Sequence, residues 1–385
     1  MKRLKVAHVV HSFLPVTQNW IYNQLLFNTD IDHTIICQFR QNTEQFPFDN
    51  VYPVLCGPAI LDKIKLQLTR LLPRLSEPVF HKIIERKPPH ILHGHFSTES
   101  WRILRVAQNR GIPLVTTFYG LDINKLPKRF VWKMRYKELF KYGSVFIVEG
   151  KFMAGKLQAL GCDPGKIRVN KIGIDLRRIE DAAVNWRPDR DGKKRVLFVG
   201  LEREKKGALD AAEAFCRAVQ QYTDTELHLV GEGYYRNRVE KILRDNNCSG
   251  KAVFHGNVNV EKYRKLLVNS DIVLTPSCTA SDGDTEGGAP VVCIEAQAAG
   301  KPVIGTTHCD IPNVVIDGET GLLCPEHNID SLADNLKCLL GNEELRKKMG
   351  TRGQKNALEN HDIKTQSKMI YSVYQSIYRG RREEL

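Results

Sequence analysis

The sequence lacks a cysteine pair at CxxC spacing, an apolar run close to the length of a membrane-spanning helix, an internal repeat and a low-complexity segment. Its ten cysteines are scattered singly, which argues against a disulfide framework or a cysteine-based zinc site and favours a reducing compartment. His8, His11 and Ser12 interrupt the first apolar run too early for a secretory signal peptide. We therefore expect a cytoplasmic protein, soluble or peripheral on the cytoplasmic face of the membrane.

Length and charge narrow the possible functions. A chain of 385 residues exceeds the usual single hydrophobic core, so two domains are expected. The formal net charge of +13 predicts anionic partners, which are phosphorylated ligands, an anionic membrane surface or nucleic acid. Because the basic residues come without an RNP, KH or helix-turn-helix pattern, nucleic acid is the weakest of the three hypotheses.

Short apolar runs alternate with amphipathic helical stretches in two series, separated by a polar, proline-containing stretch at 185–194. This pattern predicts an α/β fold with two doubly wound parallel sheets and a ligand cleft between their facing strand ends. The first domain would comprise residues 1–184 and the C-terminal helix 364–385, and the second residues 185–363. The expected strands are Val6–Val10, Thr34–Cys37, Ile91–His93, Leu114–Phe118 and Val145–Val148, then Arg195–Val199, Leu227–Val230, Ala252–Phe254, Ile272–Thr275 and Val303–Gly305.

The stretch 284–305 combines a glycine-rich turn, a helix and a short buried strand. Gly287 and Gly288 lie just before the helix, so unpaired N–H groups and the positive end of the helix dipole are offered to an anion such as phosphate. The carboxylates of Glu286 and Glu295 bracket this turn, and they suit sugar or ribose hydroxyls. The stretch predicts a nucleotide-sugar site; the alternative is a buried βαβ segment with a capping glutamate.

Three other loops in the second series have a candidate chemistry. Lysines before Gly207 in the loop 200–207 suit a diphosphate, although a solvated charged loop is the alternative. The Gly231-x-Gly233 turn is an incomplete dinucleotide fingerprint, because Arg236 replaces the third glycine, and a tight turn is favoured. The carboxylates in the loop 282–284 have a DxD pattern that suits Mg²⁺ or Mn²⁺, but a polar loop is favoured and no metal is expected.

The first series offers two further features. His93 and His95 end a strand without a third ligand at metal-like spacing, so a structural or hydrogen-bonding role is favoured. The stretches Leu61–Leu75 and Leu126–Tyr142 are basic and amphipathic. They suit an anionic bilayer surface, and the alternative is an ordinary surface helix with its apolar stripe in the core.

Together these segments resemble the retaining nucleotide-sugar glycosyltransferases of GT-B architecture, in the "group 1" family that includes glycogen synthases and bacterial exopolysaccharide and lipid-glycan transferases. The resemblance covers nearly the whole chain and is strongest over 160–323. Its most diagnostic segment is the family's E-G-x-P…E-A-x-A-x-G-x-P-V pattern, matched at 286–303. The loop 200–207 resembles G-x-L-x-x-x-K-G, and 172–175 resembles the G-I-D run before the interdomain linker. The resemblance implies two Rossmann-like domains.

The resemblance also implies residue roles. Lys206, with help from Arg203, would bind the donor diphosphate, and Glu286 would hold donor-sugar hydroxyls. Catalytic roles extend to Tyr119 and Asp122. The remaining donor-binding residues would be Gly231, His255, Gly256, Asn257, Gly287, Gly288, Ala289, Pro290, Val291 and Glu295, and the residues on the side of the acceptor substrate would be Thr17, Gln18 and His95.

The sequence departs from the family pattern at three places. Eight residues separate Glu286 from Glu295 where the family has seven. Leu201 stands where the family has an arginine, and Tyr119 stands where it has the histidine of H-G-x-D, a residue that commonly contacts the donor sugar.

The activity implied is transfer of a sugar from a UDP-, GDP- or ADP-sugar to a hydroxyl, with retention of the anomeric configuration and without a required cofactor. A glycan or lipid-linked saccharide would be the acceptor substrate, with peripheral contact to an anionic membrane. The alternatives are a non-catalytic nucleotide-sugar-binding homologue and a nucleotide-sugar epimerase of the same architecture.

Overall fold

The computed structural model describes residues 3–15, 18–55, 77–185, 191–201 and 203–383. The chain divides into two compact units, Met1–Gly173 with Ile363–Leu385, and Ile174–Asp362. The sequence analysis set the first boundary after residue 184 instead. The division falls earlier because the helix Arg177–Asn185 packs against helices of the second unit.

The first unit is a seven-stranded parallel sheet with helices packed on it. Its strands are β1 Leu4–Phe13, β2 Ile31–Arg40, β3 Val51–Pro53, β4 Ile91–His95, β5 Leu114–Thr117, β6 Val145–Val148 and β7 Ile167–Val169. Its helices are α1 Asn19–Phe27, α2 Glu77–Arg86, α3 Ser97–Asn109, α4 Gly120–Asn124, α5 Phe130–Tyr142, α6 Lys151–Ala159 and the C-terminal α15 Ile363–Glu383.

The second unit repeats this plan with a six-stranded parallel sheet. Its strands are β8 Lys194–Val199, β9 Thr225–Val230, β10 Ala252–Gly256, β11 Ile272–Thr275, β12 Val303–Thr306 and β13 Gly321–Cys324. Its helices are α7 Arg177–Asn185, α8 Ala208–Ala218, α9 Arg236–Asp245, α10 Val260–Asn269, α11 Val291–Ala298, α12 Ile311–Val314, α13 Ile329–Gly341 and α14 Glu343–His361.

The predicted fold class is confirmed: both sheets are parallel and flanked by helices. The sequence analysis missed the strands β3, β7 and β13, which lie at sheet edges and have only three or four residues each. Runs this short carry too few residues to show a periodic pattern. Within the described ranges, none of the helices combines the length and the apolar character needed to cross a bilayer.

Strand order locates the functional edge of each sheet. In the second unit the strand order is β10-β9-β8-β11-β12-β13. The strands β9 and β10 therefore lie on one side of β8, and β11, β12 and β13 lie on the other. The loops that follow β8 and β11 therefore diverge at the carboxyl ends of adjacent strands, the point at which doubly wound sheets bind ligands. In the first unit the corresponding point lies between β1 and β4.

Candidate functional site

The loop after β8 packs directly on the loop after β11. Gly207 has a φ of 71°, and a Cβ at this position would lie 1.9 Å from the carbonyl oxygen of Pro276. Only glycine permits both this backbone conformation and this approach. The 3-10 turn Glu204–Lys206 is thereby held against the β11 loop, which brings Lys205 and Lys206 to the switch point.

Lys206 and Glu286 form an ion pair at this point. The Lys206 Nζ lies 3.0 Å from Glu286 Oε1, and the Ser277 hydroxyl donates to the same oxygen at 3.1 Å. The side chain of Glu286 is only 8% exposed. Burial alone would raise the pKa of Glu286, but Lys206 and Lys205 outweigh it and hold the pKa below its usual value. The carboxylate is therefore ionised when no ligand is bound.

The glycine turn opens α11 as the sequence analysis predicted. Gly287 has a φ of 77°, and Pro290 precedes the first helical residue, Val291. In the part of the chain that the structure describes, the backbone N–H groups of Gly288 and Ala289 donate no hydrogen bond. Two free donors therefore lie beside the positive end of the α11 dipole.

The position of Glu286 depends on a histidine that the sequence analysis did not identify. The backbone N–H of Glu286 donates to His308 Nε2 at 3.1 Å, and His308 Nδ1 donates to the Glu326 carboxylate at 2.6 Å. His308 lies just beyond the carboxyl end of β12, and Glu326 just beyond that of β13. His308 could have been identified as a polar residue two positions after a buried strand, since ligands bind beyond the carboxyl ends of such strands.

Glu295 lies on α11 and is held by α10. The Tyr263 hydroxyl donates to Glu295 Oε2 at 2.6 Å. Burial raises the pKa of Glu295, although Tyr263 and Arg264 oppose that rise. The carboxylate is thus oriented by one donor, and it can accept further hydrogen bonds from hydroxyl groups.

We expect Glu295→Ala to weaken nucleotide binding about 10- to 100-fold, because a charged hydrogen bond contributes roughly 1.5–3 kcal/mol. Titration calorimetry with the nucleotide that binds the wild type measures the change. Tyr263→Phe is the matched control: it leaves the carboxylate but removes the hydroxyl that orients it, so its effect should be smaller. Wild-type affinity for Glu295→Ala would remove this residue from the site.

The residues expected near the base lie at the same edge of the second sheet. Gly231 follows β9, and its N–H donates to the carbonyl of Gly256, the last residue of β10, at 2.9 Å. His255 pairs with His228 through ring nitrogens 3.0 Å apart. Asn257 comes directly after β10. These predicted residues are therefore adjacent strand-end groups, and their contact with a base stays a prediction.

Leu201 and Arg203, which both lie in the loop before Lys206, have different structural environments. Leu201 is fully buried in the core of the second unit, so it offers nothing to a ligand. Arg203 is exposed at the start of the 3-10 turn. The carboxylate of Asp284, from the DxD pattern, lies 3.6 Å from the Lys205 Nζ and forms an ion pair with that lysine. Arg203 is thus the arginine of this loop that is open to an incoming anion.

In the first unit the structure changes two predicted roles. Asp122 is fully buried; Ser97 Oγ donates to it at 2.7 Å and the Tyr119 N–H at 3.1 Å. Burial raises the pKa of Asp122 to about 7. The buried carboxyl group joins the backbone at Tyr119 to Ser97. It therefore positions Tyr119, and it is not exposed to a ligand itself. His95 is buried behind Tyr119 and reaches a ligand only through it.

Three further predictions concern the first unit. Gln18 precedes α1 and is partly buried, whereas Thr17 and the basic stretch Leu61–Leu75 lie outside the described residues. The hydrogen-bonding role predicted for His93 and His95 is confirmed. The sequence has no third ligand at metal-like spacing beside them, but the fold brings His8 from β1 within ligand spacing of both.

Comparison with known proteins agrees with this geometry. Residues 184–356 match the family described as "Glycosyl transferases group 1", and residues 24–178 match "Glycosyltransferase Family 4". The N-acetyl-alpha-D-glucosaminyl L-malate synthase of Bacillus anthracis is 30% identical over 311 residues, which cover 77% of this chain and 76% of that protein. The chain therefore belongs to the group 1 glycosyltransferases, with the GT-B fold.

Two other proteins are similar to this chain, one in sequence and one in fold. The amylovoran biosynthesis glycosyltransferase AmsK of Erwinia amylovora is 32% identical over 233 residues, 60% of this chain and 55% of AmsK. The chain spans about half the length of several curated relatives, AmsK among them. The crystal structure of Anabaena HepE in complex with UDP superimposes with a TM-score of 0.77 at 15% identity, over 97% of this chain and all of HepE, which supports the fold alone.

Proposed function

We propose that the protein transfers a sugar from a nucleotide diphosphate sugar to a hydroxyl group and retains the anomeric configuration. One observation carries this proposal: the Lys206 ammonium and the free N–H groups of Gly288 and Ala289 lie at the switch point of the second sheet, beside the ionised Glu286. Cations and N–H donors suit a diphosphate, and a carboxylate among them suits sugar hydroxyls.

The chemistry follows from where charge develops. As the bond to the anomeric carbon breaks, the sugar gains positive charge and the diphosphate gains negative charge. Lys206 and the N–H donors are in place before the reaction, so they stabilise the departing diphosphate without reorganising, and the exposed Arg203 can add its charge. Because no side chain among the described residues of the site is an evident base, the leaving phosphate takes the proton of the attacking hydroxyl. This scheme requires no metal.

Glu286 has two states in this mechanism. Without a ligand it pairs with Lys206. When the diphosphate binds, the phosphate competes for the Lys206 ammonium, and Glu286 becomes free to accept hydrogen bonds from the sugar. Ser277 holds the carboxylate, and His308 holds the backbone N–H of the same residue, through this exchange.

We propose a polysaccharide or lipid-linked glycan as the acceptor substrate, and the name of one relative supports the polysaccharide. AmsK is named for amylovoran biosynthesis, and HepE has been crystallised with UDP and glucose. We extend these properties to this chain as a proposal: UDP, GDP or ADP carries the sugar, and a growing saccharide receives it.

Thermal-shift measurements with UDP, GDP, ADP and their glucose conjugates test the proposal first. A ligand that binds the folded protein raises its melting temperature, by an amount that grows with the ligand concentration over Kd. The sugar nucleotide that gives the largest shift is then incubated with lipid-linked saccharide fractions, and proton NMR of the product gives its anomeric configuration. An inverted product would contradict retention, and the absence of any shift would contradict the nucleotide-sugar site.

A non-catalytic binding protein is the second candidate function. The buried Leu201 in place of the family's arginine and Tyr119 in place of its histidine favour it, because the first change removes a cationic group and the second replaces an imidazole with a phenol. Saturable binding of a sugar nucleotide with no transfer to any saccharide would support this candidate over the enzyme.

We further propose that α5 contacts an anionic membrane. The aromatic side chains Trp132, Tyr136 and Phe140 are buried in the core, as an ordinary surface helix requires. The opposite side of the segment is unusual, because it exposes 77% of Phe130, 55% of Val131 and 53% of Met134. Exposed lysines and arginines surround this apolar tip, namely Lys128, Arg129, Lys133 and Lys137. Apolar side chains inside a basic rim match the interface of an anionic bilayer.

We expect Phe130→Glu to abolish most binding to vesicles that contain phosphatidylserine, because it removes the largest inserted group and adds a repelled charge. Flotation measures the change. It uses vesicles of phosphatidylcholine alone and vesicles that also contain about 30 mol % phosphatidylserine, which makes the surface strongly anionic. Leu358→Glu is the control, since Leu358 is 60% exposed on α14 of the other unit. Equal flotation of the Phe130 variant and the wild type would refute this surface.

A further inference from the structure

Four histidines from three neighbouring strands meet inside the first unit. His8 lies on β1, His33 on β2, and His93 and His95 on β4, with His8 directly opposite His93 in the sheet register. All four are at most 8% exposed. Burial lowers the pKa of His33 to about 4 and that of His95 to about 3, and the pKa values of the other two are also far below the usual range. The rings are therefore neutral at pH 7.

The protons of three of these rings have only one consistent arrangement. His33 Nε2 lies 3.1 Å from the carbonyl oxygen of Asn28, which can only accept, so this nitrogen carries the hydrogen. A neutral ring has one N–H, so His33 Nδ1 accepts from His8 Nε2 at 3.0 Å. His8 Nδ1 then accepts from His95 Nε2 at 3.1 Å. His95 Nδ1 is left as an acceptor for the Tyr119 hydroxyl, also at 3.1 Å.

We call this chain, Tyr119 to His95 to His8 to His33 to the carbonyl of Asn28, the histidine relay. Burial raises the pKa of Tyr119, so its hydroxyl keeps its single hydrogen at neutral pH. The relay uses that hydrogen, which points inward to His95. On its outer side, the Tyr119 oxygen can therefore only accept a hydrogen bond.

Tyr119 is part of the wall of a pocket in the first unit. The other polar groups of the wall include Asn170, Lys171, Gln366 and Ser367. Among the described residues, the buried Ser367 Oγ and Asn170 Oδ1 have no hydrogen-bond partner. Buried polar atoms without partners are costly unless a ligand or water satisfies them. The pocket therefore offers hydrogen-bonding groups that hydroxyl groups of a ligand could satisfy.

We propose that the histidine relay makes Tyr119 an acceptor-only group, and that the pocket binds a polyhydroxylated ligand through a hydroxyl that donates to Tyr119. That the ligand is a sugar rests on the proposed function; the direction of the relay does not. The family's histidine at this position can either donate or accept. The tyrosine coupled to His95 accepts only, so it selects a donating hydroxyl and disfavours an analogue in which fluorine replaces that hydroxyl.

A metal ion is the alternative occupant of the histidine cluster. Ring nitrogens of His8, His93 and His95 lie within 4.8 Å of one another. However, all six of their ring nitrogens already have hydrogen-bond partners, since His93 pairs with the hydroxyls of Tyr374 at 2.6 Å and Thr117 at 2.7 Å. The cluster is therefore satisfied without an ion. A metal would replace the proton that His8 and His95 share and would break the relay.

Neutron diffraction from a deuterium-exchanged crystal of the full chain at pH 7.5 tests the direction without any substrate. The expected result is deuterium on Nε2 of His8, His33 and His95 and a Tyr119 deuteron that points to His95. Deuterium on Nδ1 of any of the three rings, or a Tyr119 deuteron turned toward Glu149, would overturn the proposal. So would zinc at one equivalent per chain in elemental analysis of protein purified without added metal.

A double-mutant cycle tests the consequence for the pocket. His33→Leu removes the relay's anchor far from the pocket, and His33→Gln keeps one donor and one acceptor. With the glucose conjugate of UDP, GDP or ADP that gives the largest thermal shift, we expect kcat/KM to fall about tenfold for His33→Leu, the size of one hydrogen bond, and less than about twofold for His33→Gln. In a Tyr119→Phe background, His33→Leu should have no further effect, because the hydroxyl it orients is gone.

The outcomes separate the two proposals. Additive effects of His33→Leu and Tyr119→Phe, in variants whose circular dichroism and melting temperatures match, would overturn the relay. If the wild type turns over none of the three conjugates, the proposed function fails, and the neutron density alone then decides the direction of the relay.

Discussion

Lys206→Ala is expected to lower kcat/KM for the donor about 100- to 1000-fold, the loss that follows removal of one preorganised group aimed at developing charge. The ammonium lies 3.0 Å from Glu286 and beside the N–H groups that open α11. Without the ammonium, the departing diphosphate loses a cation that stabilises its charge. The exchange in which the diphosphate takes Lys206 from Glu286, and so frees that carboxylate for the sugar, is also lost. Steady-state kinetics with the identified sugar nucleotide measures the change.

The control for this prediction is Lys241→Ala, which removes one positive charge from the exposed face of α9 and should leave kcat/KM within about twofold. Stability must be measured as well, because the alanine leaves the buried Glu286 with Lys205, at 3.9 Å, as its remaining cation. A lower melting temperature with wild-type kcat/KM would show that Lys206 is structural and would contradict its role toward the diphosphate.

Lowering the pH from 7 to 4.5 is expected to destabilise the folded chain steeply. His33 has a folded pKa of about 4, and the ordinary value is 6.5. The unfolded chain therefore binds a proton that the folded chain excludes, so stability rises with pH across this window. The contribution of this side chain is complete above pH 6.5 and falls away as the pH drops toward 4, by about 3 kcal/mol at 1.36 kcal/mol per pKa unit. His95, His8 and His93 act in the same direction.

Urea denaturation at pH 7.5, 6.5, 5.5 and 4.5 measures this dependence. The points below pH 6.5 cover about 2 units below the ordinary histidine pKa. Asp122, whose folded pKa of about 7 lies in the same window, acts in the opposite direction, so the contribution of His33 is obtained by comparing the wild type with a variant that lacks this ring. In His33→Gln the slope should decrease by about one proton, since glutamine does not titrate. The same pH dependence in the wild type and in His33→Gln would contradict a neutral, buried His33 ring in the relay.

The sequence was sufficient for the fold class and for most of the second unit's candidate site. Alternating apolar runs and helical stretches predict two parallel sheets, since parallel strands buried on both faces are continuous apolar segments. Gly207 with the lysines before it, and Glu286 with the turn 287–290, could be identified because each of the two groups is contiguous in the chain. Each group is a local pattern, and the fold brings the two together.

What the sequence did not reveal depends on pairing between distant strands. His8 and His33 join His95 only when β1 lies between β2 and β4, an order that no local pattern encodes. Tyr263 reaches Glu295 from a different helix, and His308 reaches Glu286 from the end of another strand. The role of Asp122 changed for a related reason: its burial depends on Ser97 and Tyr136, which pack over it from α3 and α5.

The most direct measurement is a crystal structure of the chain with the nucleoside diphosphate that gives the largest thermal shift. The account predicts that the β-phosphate lies within hydrogen-bond distance of the Lys206 Nζ and the N–H groups of Gly288 and Ala289, and that a ribose hydroxyl donates to Glu295. It also predicts that the contact between Lys206 and Glu286 is longer than the 3.0 Å of the ligand-free structure. A diphosphate bound elsewhere, with the Lys206–Glu286 pair intact, would contradict the central claim.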